Sequence, residues 1–153
     1  MASLFGKCFR MLMVDRPAKN QSLESLTDQL SGSQQIILDK VTGAMDNEDN
    51  RKQLTHVIGI ERWGQNRLKV ALGEPLTMEE YDGYRPQTGT SLPALAETFT
   101  QTRQNTLAVA EKLTAVPDVA GKIVEHNDMG QMTVRSWLYY LDLHSNYELR
   151  NVK

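Results

Sequence analysis

Apolar positions recur every three or four residues along most of this chain, the period of amphipathic helices rather than strands. Leu23, Leu26, Leu30, Ile37 and Val41 form the first such stripe, with Ser22 placed to cap it. Ser31, Gly32 and Ser33 weaken its middle, the glycine by about 1 kcal/mol, and their small size would let another helix approach. A second helix is expected from Asn50 to Leu72. One of its stripes is Leu54, Val57, Glu61, Gly64, Leu68 and Leu72; the neighbouring one is His56, Ile60, Trp63, Arg67 and Val70. Two adjacent stripes imply two partner helices. Cap residues fill Asp46 to Asn50, and Gly73 followed by Pro75 marks the stop. Ser91 and Pro93 begin a third helix, whose inward face is Leu92, Leu95, Phe99, Thr102, Thr106, Val109 and Leu113. Thr133 caps a last helix reaching Asn151.

The connections are less regular. Leu76 to Thr90 holds turn residues and no sustained period. A connection of that length is either a crossover joining parallel neighbours or a cover over a site, with Tyr81, Tyr84 and Arg85 able to reach a pocket. Lys122 to Val134 reads as a small two-stranded excursion or a plain loop. Asp15 to Asn20, with Pro17, reads as a break. It leaves Met1 to Val14 as a surface-packed arm or a short first helix. The expectation is an all-α fold in one domain, residues 1–153. It is a four-helix bundle with a long crossover loop between helices 2 and 3 and an N-terminal arm over 1–20.

Composition narrows the functions. A length of 153 residues favours one domain and can bury a core without staples. Hydrophobic content of 40% against 24% charged is a globular balance, not a disordered one. The net charge of −2 and the lack of any run of five Lys or Arg leave no footprint for phosphate-backbone binding, so no nucleic-acid partner is expected. No apolar run reaches about 18 residues, so no membrane span or membrane partner is expected. Lys7 and Arg10 interrupt any signal-peptide core. Cys8 is the one cysteine, which rules out an internal disulfide and fits a reducing, cytoplasmic compartment. It has no nearby His and reads as an unremarkable thiol.

The candidate chemistry lies on the last helix. Trp137, Leu141, His144 and Glu148 share one face, which starts apolar and ends in an imidazole and a carboxylate. Either that end is solvated, or the two side chains converge on something such as a metal ion, as a His pair at this spacing does on a zincin helix. Arg62, Arg135 or Arg150 offers Glu148 an alternative partner. His126 reads as solvent-facing or a distant rim residue. Trp63 and Trp137 read as core. Tyr140 and Tyr147 either pack at a pocket edge or orient water or substrate.

These motifs resemble the DinB-like (damage-inducible B-like) four-helix-bundle metalloproteins, which share a fold with thiol-dependent S-transferases. The likeness is carried by LTHVIGIERWGQNRLKVALGEP in the second helix, by Gly130, Thr133 and Val134 leading into the last, and by WLYYLDLHSNYELRNV within it. The resemblance implies a divalent metal held by one His of the second helix and two of the fourth. His56 and His144 match the first two ligands, and Glu148 stands where the family has its third His. A two-His, one-carboxylate set suits a divalent ion such as zinc, nickel or iron, the carboxylate shifting preference toward harder ions. The implied activity is metal-dependent hydrolysis or thiol S-transfer on a small-molecule or thiol substrate. The alternative is a non-catalytic bundle, acting as a homodimer, that has lost the site.

Overall fold

The protein is mostly helical, and its helices begin at residues whose side chains accept the first free backbone N–H groups. The computed structural model describes residues 2–153. Helix α1 (Leu4–Arg10) continues through a wide π turn (Met11–Asp15) into α2 (Arg16–Ala18). The break expected from Asp15 therefore falls later, at Lys19 and Asn20. The wide turn lies just ahead of Pro17, whose ring would strike the carbonyl four residues back in a regular α-helix. Helix α3 (Leu23–Thr42) is capped by Ser22, α4 (Glu48–Val70) by Asn47 and α5 (Leu92–Thr114) by Ser91. Strands β1 (Ile123–His126) and β2 (Gly130–Thr133) form an antiparallel hairpin, deciding that stretch in favour of strands. Thr133 then caps α6 (Val134–Glu148), which tightens into a 3-10 turn over Leu149–Asn151.

Helices α3 and α4 each pack against both α5 and α6. α4 and α5 run in the same direction. Asp46, ahead of α4, accepts the Leu92 N–H at the start of α5 at 3.1 Å, and midway Glu61 meets Arg103. The connection between them therefore returns along α4, and its 3-10 turn, Tyr81–Tyr84, rests on that helix. Gly59 makes room for it: a Cβ there would lie 2.8 Å from Arg85 Cγ. Gly64 does the same for Leu141, at 2.6 Å. The small residues of α3 divide differently from expectation. Gly32 faces open space, whereas Ser33 is buried.

The core has two apolar clusters separated by a polar layer. One contains Leu26, Leu30, Trp63, Trp137 and Leu141; the other contains Ile37, Val41, Ile58, Leu95, Phe99 and Leu149. Between them lies Arg103, fully buried, its guanidinium bonded on every side. Its Nε donates to Glu61 Oε1 at 2.7 Å and Nη2 donates to Glu61 Oε2 at 3.0 Å. Nη1 donates to the Leu30 carbonyl and Ser33 Oγ, both at 2.8 Å, and Nη2 also donates to Ser145 Oγ at 2.9 Å. All five N–H groups of the guanidinium thus have acceptors. Thr106 donates to the same carboxylate at 2.8 Å, and Gln65 donates to Thr106 at 2.9 Å. This layer ties α3, α4, α5 and α6 together at one height.

Candidate metal centre

His56 lies two turns into α4, and His144 lies on α6, which packs antiparallel against α4 and brings the two imidazoles together. Their Nε2 atoms are 3.2 Å apart. Glu148, one turn after His144, completes a group of three whose donor atoms all lie within 4.8 Å of one another. All three side chains are half-buried. The three residues singled out by the sequence therefore converge, and among the described residues this is the one His, Cys, Asp or Glu cluster with metal-binding geometry.

The donor set fits a divalent ion. Two ligands held tetrahedrally at about 2.0–2.1 Å from one ion lie about 3.3–3.4 Å apart, close to the observed nitrogen separation. Ligation also needs unprotonated imidazoles. Burial lowers the His144 pKa to about 3, helped by the charges His56 and His126 would carry. His56 is likewise lowered, first by burial and then by the Arg85 charge, against an opposing pull from Glu148. Glu148 lacks the arginine partners considered for it. Arg62 donates to the Tyr84 carbonyl, and Arg150 donates to the Tyr147 carbonyl while its guanidinium lies 3.5 Å from that ring.

Aromatic rings wall the group on its inner side. Tyr81 meets His56 edge-on at 5.4 Å between centroids, and Tyr140 lies 5.6 Å from His144. Burial raises the Tyr140 pKa, so the hydroxyl keeps its proton. Tyr147 instead lies exposed and serves no part of the site. On the outer side a cavity of 510 Å³ opens to solvent, lined by Lys52, His56, Arg85 and Glu148 among others.

His126 contradicts its expected place at the surface. It is 5% exposed and packed against Trp63, Trp137 and Tyr140. Its Nδ1 accepts the backbone N–H groups of Asp128 at 3.1 Å and Met129 at 3.3 Å, which puts the proton on Nε2. Nε2 has no conventional acceptor, but the ring stands perpendicular to Trp63 and Tyr140, the arrangement for an N–H···π contact. Burial, then the nearby Arg67 charge, lowers its pKa to about 3. The strand period gave the clue, since His126 is in phase with buried Val124. Arg103 was missed on α5 although it lies four residues after Phe99 and three before Thr106, squarely on the inward face.

Among the described residues no helix is long and apolar enough to cross a membrane. Comparison with protein-family models, with curated proteins and with solved structures finds no match to the chain.

Proposed function

We propose that the chain is a DinB-like four-helix-bundle metalloprotein whose long α4–α5 connection is the crossover, and that His56, His144 and Glu148 hold a divalent ion, zinc, nickel or iron. The observation that carries this reading is the convergence of two neutral imidazole nitrogens, 3.2 Å apart, with a carboxylate at the mouth of a solvent-open cavity. The parallel course of α4 and α5 supports the topology. An ion held by three protein ligands supplies open positions at which water or a thiolate becomes a nucleophile near neutral pH, so the activity is hydrolysis or thiol S-transfer on a small molecule in the cytoplasm. The chain's own contribution is to keep both imidazoles unprotonated by burial, to close the inner wall with Tyr81 and Tyr140, and to leave the outer wall open.

One observation favours a second reading. The two imidazoles hydrogen-bond each other directly, which satisfies them without an ion. A bundle that had lost its metal would keep that contact and act by association, as a homodimer. Elemental analysis of purified protein beside the His56→Ala/His144→Ala double variant, with light scattering on both, separates the two. Stoichiometric metal in the parent alone supports the metalloprotein. A metal-free dimer supports the associating bundle.

A further inference from the structure

Arg85 is a sparsely bonded guanidinium beside the centre. Its Nη2 lies 3.4 Å from His56 Nδ1, a long contact. Its Nε forms a salt bridge to the Asp82 carboxylate at 3.0 Å, at an angle that makes no hydrogen bond. Asp82 is itself 71% exposed, and a pair so screened by solvent contributes little. The guanidinium stacks 5.4 Å from the Tyr81 ring and is held against α4 over Gly59. A group with five donors in a fixed fork, so sparsely used, contrasts with Arg103, where every donor is engaged.

Proton placement adds a second argument. Arg85 can only donate, so its contact requires His56 Nδ1 to be an acceptor, with the ring proton on Nε2. Nε2 is the atom that faces His144, so it is the atom that would ligate. Ligation through Nε2 would place the proton on Nδ1 and turn Arg85 away, because two donors cannot share that contact. The freed guanidinium remains at the rim of the 510 Å³ cavity, where Lys52, one turn before His56, adds a second positive charge. Two neutral imidazoles and one carboxylate leave a divalent ion with a net single positive charge, and Arg85 raises it further.

We infer that Arg85 selects an oxyanion-bearing ligand, a carboxylate or phosphoryl group, for the open face of the His56–His144–Glu148 centre. The inference rests on the metal-site reading above. A guanidinium matches both groups with paired N–H donors, whereas an uncharged ligand leaves it as unsatisfied as before.

The test uses the full chain loaded with Co²⁺, whose visible absorption reports both metal uptake and any change in its ligands. Acetate and methylphosphonate are titrated in at constant ionic strength, with acetamide as the uncharged control. The expected result is saturable binding of at least one anion and none of acetamide, the tighter anion identifying the oxyanion class. Arg85→Gln should weaken that anion about tenfold or more while Co²⁺ affinity stays equal or rises, since a competing donor to His56 is gone. Arg85→Lys should fall between. Gly59→Ala keeps the charge but pushes the Arg85 stem aside, and should also weaken the anion in a helix that alanine otherwise favours. Equal anion affinity in parent and Arg85→Gln, or acetamide binding as well as acetate, overturns the inference while leaving the metal centre intact. No Co²⁺ uptake by the parent overturns the metal centre and the inference together.

Discussion

Two polar inclusions neighbour each other along α4 and α6 and differ in how completely they are satisfied. The Arg103–Glu61 pair is sealed between the apolar clusters, and every donor has an acceptor. The His56–His144–Glu148 group lies at the edge, opens to a cavity, and has one direct contact between its imidazoles and a carboxylate with no ion pair among the described residues. A buried network costs least when complete and most when one member is removed. Completeness marks the first as architecture; spare ligating capacity leaves the second able to hold an ion.

The sharpest way to break the contrast is to remove one partner of the sealed pair. Arg103→Met leaves Glu61 as an uncompensated buried carboxylate and should cost about 3–5 kcal/mol in urea unfolding, with the Glu61→Leu/Arg103→Met double variant recovering most of it. A loss below about 1 kcal/mol would mean that the layer is hydrated and not sealed.

The open group should respond to metal instead. Zinc at one hundred times its dissociation constant should stabilise the parent by about 2.7 kcal/mol, seen as a rise in Tm, and leave His56→Ala/His144→Ala unmoved. Arg103→Met should still gain stability from zinc, because its lesion is elsewhere.

Acid should find the histidines. His126 titrates at about 3 in the fold and near 6.5 unfolded, so between those values the unfolded chain binds a proton that the folded chain refuses. Stability is therefore full above pH 6.5 and falls as pH drops toward 3, by about 2 kcal/mol per such histidine between pH 7 and 5. His144 shifts in the same direction and adds to the fall. His126→Phe should flatten the curve by roughly its own share in denaturation series from pH 5 to 7; an unchanged slope would show that His126 is not the neutral buried group described.

The smallest effect serves as a control. Gly32 meets open space in the middle of α3, so Gly32→Ala should stabilise by about 0.5–1 kcal/mol without touching either inclusion. Metal uptake in that variant should match the parent.

Helix positions and caps were legible because period and capping chemistry are local: Ser22, Ser91 and Thr133 each receive the N–H their sequence position suggests. The metal candidates were legible through the spacing of His144 and Glu148, but their meeting with His56 depends on the antiparallel pairing of α4 and α6, which no local pattern contains. Arg103 and His126 are both polar residues whose burial the local sequence does not announce. A polar residue on an inward face is buried when its partners are supplied within the fold: Leu30, Ser33, Glu61 and Ser145 for Arg103, and the hairpin turn with two tryptophans for His126. The partners of Arg103 come from three other helices; those of His126 are the local hairpin turn and Trp137, with Trp63 brought in from α4. Pro17 does not interrupt the helical course, because the chain widens into a π turn just ahead of it.

The most direct test of the central claim is calorimetric titration of Zn²⁺ into metal-stripped parent, Glu148→Gln and His56→Ala/His144→Ala. The account predicts one ion per chain in the parent, weakened binding when the carboxylate is neutralised, and none without the two imidazoles. Equal heats in all three, or no binding in the parent, would contradict it.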